Sequence, residues 1–124
     1  MRKLLVLFVF LILSACNSKE ETKLSVIDYE TVQTDVIGKD VQLVDVRTSQ
    51  EFNAGHIDDA INIDISDPET FTEKVENLDK EKPIYIYCQM GGRSKKASQK
   101  LKELGFKNIF DYSGGYGEWS AQAK

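Results

Sequence analysis

Between residues 24 and 124 the apolar side chains fall into short continuous runs, separated by stretches in which they recur every three or four positions. The runs read as strands: Leu24 to Ile27, Val41 to Val46, Ala60 to Ile63, Ile84 to Tyr87 and Asn108 to Phe110. The spaced stretches read as helices. Asp28 is placed to cap Tyr29 to Ile37, which ends near Gly38, and Thr48 or Ser49 caps a short helix from Thr48 to Asn53 with Gly55 as its stop. Pro68 and Glu69 open a helix to about Leu78 that puts Phe71, Val75 and Leu78 on one face. A helix from near Gly92 to Leu104 carries Ala97, Leu101 and Leu104 as its stripe, leaves Lys95, Lys96 and Lys100 mostly off it, and ends at Gly105. Gly115 to Ala121 forms a short last helix. Apolar strands that alternate with helices predict an α/β fold of three layers, a mainly parallel central sheet flanked by helices on both faces. Ligands in such folds sit beyond the carboxyl ends of the strands, and Cys88 follows one of those ends.

The first residues belong to a different pattern. Met1-Arg2-Lys3 is a positive start, and Leu4 to Leu13 is an apolar run of ten, too short to span a membrane as a mature helix but suited to the core of a signal peptide. Leu13-Ser14-Ala15-Cys16 follows directly, and then the polar stretch Asn17 to Lys23. This arrangement resembles bacterial lipoproteins, which implies a signal peptide over 1–15, a lipidated Cys16 opening a tether over 16–23, and a domain over 24–124. The implied place is the cell envelope, lipid-anchored to a membrane outside the cytoplasm. Asn17 after the cysteine is similar to outer-membrane sorting where the cell has such a membrane. Loss of Arg2 and Lys3 with the signal leaves 14 basic against 20 acidic residues, a net charge of −6, which argues against a nucleic-acid partner and against adhesion through a basic surface. A tethered domain of this size needs no second copy, so a monomer suffices.

With Cys16 lipidated, Cys88 is the one remaining thiol. Export favours structural disulfides, so a lone thiol there is either buried and inert or kept for chemistry. Its setting decides between the two. Cys88-Gln89-Met90-Gly91-Gly92-Arg93-Ser94 joins a buried strand to a helix, and the paired glycines allow a tight turn whose backbone N–H groups face inward as an anion nest. The helix start adds free N–H groups and the positive end of its dipole, a setting that depresses a thiol pKa. Arg93 brings a permanent cation and a donor fork for an anionic substrate. Gln89 carries no charge, and Met90 is either a wall of the site or a surface residue. No group of Cys, His and carboxylates has metal-ligand spacing, and no cofactor is implied.

Five segments now stand in order: Val44-Asp45-Val46-Arg47, Glu51 to Ile57, Ala60 to Ile63, Cys88 to Ser94, and Gly114-Gly115-Tyr116-Gly117-Glu118-Trp119. Together they resemble the successive signatures of single-domain rhodaneses, over essentially everything after the tether. That resemblance implies a sulfurtransferase that passes a sulfane sulfur from a small anionic donor such as thiosulfate to a thiol or protein acceptor. It also implies that Cys88 is the persulfide-forming nucleophile and that Arg93 closes the loop. The loop positions Gln89, Met90, Gly91, Gly92 and Ser94 then surround the substrate, and Asp45 and Arg47, as an acidic-basic pair, support the site without reacting. The chain departs at Asp58-Asp59, where many relatives have Pro-Gly, which alters a turn and its charge.

Residue by residue, simpler roles compete. Asp45 ends a buried strand and suits structural hydrogen bonding, Arg47 is spaced to pair with Glu51 or to reach the rim, and His56, the only histidine, suits a fold-supporting bond more than base catalysis. Tyr116 and Trp119 suit packing of the last helix. Among activities, a cysteine phosphatase resembles this loop but places five residues between Cys and Arg where this chain has the four from Gln89 to Gly92, and an alkoxide leaving group needs an acid that is not evident. A persulfide carrier or sulfur-binding module working with a partner protein remains open. Thiol redox work would need an outside partner, because there is no Cys-x-x-Cys pair.

Overall fold

The computed structural model describes residues 21–123, so the expected signal peptide, Cys16 and the first part of the expected tether lie outside the described residues. Capping chemistry sets where the chain turns into helix. Asp28 accepts the Thr31 amide ahead of α1 (Tyr29–Asp35), Asp67 accepts that of Thr70 ahead of α3 (Pro68–Val75), and Thr48 with Glu51 forms a reciprocal capping box on α2 (Ser49–Ala54). The remaining helices are α4 (Gly92–Glu103) and α5 (Gly115–Gln122). Five strands, β1 (Lys23–Ile27), β2 (Gln42–Asp45), β3 (Ile61–Asn62), β4 (Ile84–Tyr87) and β5 (Asn108–Tyr112), form one sheet in the order β1-β5-β4-β2-β3, with every pairing parallel.

Side chains that alternate along each strand build two cores, one on each face of the sheet. Val44, Ile84, Ile86 and Ile109 meet Phe71 and Val75 of α3 and Ala97 and Leu101 of α4. On the other face Leu43, Tyr85, Tyr87 and Tyr112 meet Val32 of α1 and Val36 at its C-cap, with Phe52 of α2 and Tyr116 and Trp119 of α5 packed against them. The α/β fold with a parallel central sheet and helices on both faces, expected from the apolar runs, is therefore borne out.

Element ends differ in informative ways. Residues 76–78 leave the α3 helix because Asn77 and Leu78 donate to carbonyls three residues back, Lys74 and Val75, tightening the chain into a turn, although Leu78 still packs against the core. Strand β5 runs on past Phe110 because Asp111 and Tyr112 pair with Ile86 and Tyr87 on one side and with Val26 and Ile27 on the other. The charge on Asp111 hid that continuation. Strand β1 starts at Lys23, one residue inside the expected tether. At the departing turn, Asp58 takes a positive φ of 47°, a conformation Asp tolerates better than most residues, and its carboxylate accepts the Gly38 amide at 3.0 Å.

Candidate active site

Cys88 is the first residue beyond β4, and the side chain is only 1 % exposed, within the core under α3 and α4. A buried thiol would ordinarily resist ionisation. Here burial does push it up, but the backbone and hydroxyl of Ser94 and the amides of Gly91 and Met90 outweigh burial, so the thiol lies below its ordinary value. The Gly91 amide donates to Cys88 Sγ at 3.0 Å. Gly91 itself has φ of +99°, and a Cβ there would lie 2.7 Å from the carbonyl oxygen of Ser113. Gly92 has open space at the same test. The two glycines that look alike in sequence therefore have different duties. Gly91→Ala should destabilise the domain by about 1–3 kcal/mol from strain alone, whereas Gly92→Ala should be neutral or slightly stabilising. Urea unfolding of the pair checks this, and equal losses would refute the distinction.

The base of the loop is held by the last helix. The first amides of a helix lack intrahelical partners, and here Tyr116 N–H donates to the Cys88 carbonyl at 2.8 Å and Gly117 N–H to the Gln89 carbonyl at 3.0 Å. Such close backbone approach demands glycine at 115. Its φ is +65°, and a Cβ would sit 2.5 Å from the Cys88 oxygen.

Beneath the loop on the opposite face of the sheet lies a buried ion pair. Asp45 is 0 % and Arg47 2 % exposed, and the guanidinium meets the carboxylate through Nε to both oxygens at 3.0 Å and through Nη2 to Oδ2 at 2.7 Å. Burial works against the charge on Arg47, but Asp45 outweighs it and holds the guanidinium more firmly protonated than usual. The remaining donors go to the Gly55 carbonyl at 2.7 Å and to Gln89 Oε1 at 3.1 Å, and the cation lies 4.3 Å from the Tyr116 ring centre. Of the readings open to Arg47, the acidic-basic pair with Asp45 that the resemblance implies is the one formed, and the pairing with Glu51 is corrected. The reason is that a guanidinium this deeply buried needs a carboxylate that is buried with it. Gln89, uncharged and seemingly idle in the sequence, is the link from this pair to the reactive loop.

Glu51 goes instead to Arg93. The two form a bidentate pair at 2.7 and 2.9 Å, which ties α2 to the first turn of α4. Arg93 holds the Glu51 carboxyl far below its ordinary range, at about 2. Glu51 stands in a quoted motif, but a partner 42 positions away leaves no local trace in sequence. Met90 is 84 % exposed on the outer side of the loop and walls nothing. His56 is exposed, hydrogen-bonded through Nδ1 to the Phe52 carbonyl and stacked on the Phe52 ring, away from a base's position in these contacts. Trp119 packs against Tyr29. Among the described residues no group of three or more His, Cys, Asp or Glu is arranged to hold a metal. The assembly is a thiolate-favouring sulfur with backbone donors around it and a cation at the loop's end, suited to nucleophilic attack on an electrophile that leaves as an anion.

The chain is similar to known proteins. The model of the rhodanese-like domain matches residues 28–122. The thiosulfate sulfurtransferase GlpE of Coxiella burnetii is 34% identical over 83 residues, 67% of this chain and 75% of that protein. The uncharacterized protein YqhL of Bacillus subtilis is 37% identical over 83 residues, 67% of this chain and 64% of its own length. Among solved structures, the human single-domain sulfurtransferase TSTD1 superposes with a TM-score of 0.66 at 27% identity, covering 78% of this chain and 96% of that one.

Proposed function

This chain belongs to the rhodanese-like sulfurtransferase family, and from that premise we propose that it moves a sulfane sulfur from thiosulfate or a related persulfide donor to a thiol acceptor by way of a Cys88 persulfide. The observation that carries the reading is the Cys88 sulfur, held against the Gly91 amide at 3.0 Å in a loop with four residues between Cys and Arg. In the first step the Cys88 thiolate attacks the outer sulfur of thiosulfate. A new S–S bond forms, the bond to the sulfonate sulfur breaks, and sulfite leaves with the electron pair. Sulfite is a stable anion, so no acid is needed, in keeping with a site whose only histidine is occupied elsewhere. In the second step an acceptor thiolate attacks the outer sulfur of the persulfide and Cys88 leaves as thiolate. The loop amides offset the negative charge in both steps, and Arg93, already committed to Glu51, supports the loop and adds its field at Cys88.

Intact-mass measurement after thiosulfate treatment tests the first step. A gain of one sulfur atom that a thiol reverses is expected, with parallel double-reciprocal plots in steady state. An unchanged mass after reducing pretreatment would sink thiosulfate as donor. One observation favours a second reading, a persulfide carrier served by a partner protein: Met90 presents an exposed apolar side chain on the outer surface of the reactive loop. Rapid sulfur gain from a protein persulfide with slow gain from thiosulfate would select it.

We further propose that Cys16 is lipidated after removal of residues 1–15 and that the domain works outside the cytoplasm on a membrane. The ten-residue apolar run and the Leu13-Ser14-Ala15-Cys16 segment support this. Among the described residues no helix is long and apolar enough to cross a membrane.

A further inference from the structure

The mechanism leaves one buried titratable group unused. Asp111 lies on β5 and is 4 % exposed. By strand alternation it projects on the same face as Ile109, toward α4, between Ile86 of β4 and Val26 of β1. Its Oδ1 has no hydrogen-bond partner, which is rare for a buried oxygen. Burial raises its pKa, and the Ser94 hydroxyl works in the opposite direction.

Ser94 is fully buried in the first turn of α4, and its hydroxyl lies 3.2 Å from the Gly91 carbonyl. The same hydroxyl acts on the Cys88 sulfur. A hydroxyl has one proton to donate; this one points it to the Gly91 carbonyl, while the Asp111 carboxyl and the Cys88 sulfur are further acceptors whose protonation it influences.

We propose that Asp111 is a positioning residue for Cys88, acting through Ser94 to set which acceptor receives that hydroxyl's single proton. A protonated Asp111 donates to Ser94 Oγ and frees the serine proton for the sulfur. An ionised Asp111 takes the serine proton, so the sulfur loses a donor and gains a nearby negative charge. Thiolate at Cys88 is favoured in the first state and disfavoured in the second. The other charge reaching the sulfur is Arg93 of α4, which in turn feels Glu51 of α2 and Asp64 in the segment before α3. Lys95 and Lys96 of α4 are exposed, and the strand neighbours Ile86 and Val26 do not titrate.

The proposal deepens the reading of Cys88 as nucleophile and rests on it for its use in catalysis, but its test needs no sulfur donor. In the full chain, alkylation by iodoacetamide forms an S–C bond as iodide leaves, and the rate at the Cys88 peptide against pH reports the thiolate. Asp111→Asn keeps the shape and removes the charge, and should lower the midpoint by up to about one pH unit. Asp111→Thr should shift it the same way if the amide variant does not fold. In a Ser94→Ala background the shift should vanish. No shift in the parent, or an equal shift in both backgrounds, would overturn the role of Asp111. A shift without any persulfide would leave it standing and remove the sulfur-transfer reading, and a persulfide without a shift would do the reverse.

Discussion

Replacing Cys88 with serine should reduce sulfur transfer by at least about a thousandfold, to the floor of the assay, with the fold retained. A serine hydroxyl occupies nearly the same space and can accept the Gly91 amide that now meets the sulfur at 3.0 Å. It is a far weaker acid, so the donors that favour a thiolate cannot produce the corresponding alkoxide near neutral pH, and oxygen forms no persulfide. The variant keeps Cys16, the only other cysteine. Mass gain that persists in it would move the chemistry to that residue, while loss of gain with an unchanged circular dichroism spectrum and melting point assigns it to Cys88.

The largest expected effect on stability lies on the other face of the sheet. Asp45→Ala should cost about 3–5 kcal/mol, because it strands the Arg47 guanidinium in the interior with only the Gly55 carbonyl, Gln89 and two aromatic rings. For a domain whose total stability is on the order of 5–15 kcal/mol, that is a large share. Asp45→Asn should cost less, since the amide oxygen still accepts. A double variant, Asp45→Leu with Arg47→Met, should recover much of the loss by removing both charges. Urea unfolding measures all three, and a cost under about 1 kcal/mol for Asp45→Ala would show that water reaches the pair.

The course of the chain was legible where chemistry is local. Val41 to Val46 and Ile84 to Tyr87 announce buried parallel strands by carrying apolar side chains toward both faces, and Asp28 and Thr48 announce helices by capping amides three residues on. The loop from Cys88 to Ser94 was legible for the same reason: its nest is made of its own backbone. Partnerships across the fold were not. Glu51 with Arg93, Arg47 with Gln89, and the Tyr116 amide with the Cys88 carbonyl join positions brought together only by the sheet order. Arg47 shows how local spacing misleads. Glu51 is four residues away and of the right sign, but that carboxylate is half-exposed, and a buried guanidinium takes the buried carboxylate two residues back. Gly91 and Gly92 were indistinguishable until the Ser113 carbonyl was seen beside one of them.

The uniformly parallel sheet bears on which way the molecule faces. Strand β1 enters at Lys23, and every strand then runs in its direction, so the chain enters the domain at one pole of the sheet and Cys88 stands at the other. With lipid on Cys16, as proposed, the six residues from 17 to 22 reach at most about 20 Å even when fully extended. The bilayer then holds the amino pole close and turns the reactive sulfur outward, toward carriers that approach from the aqueous side rather than from the lipid.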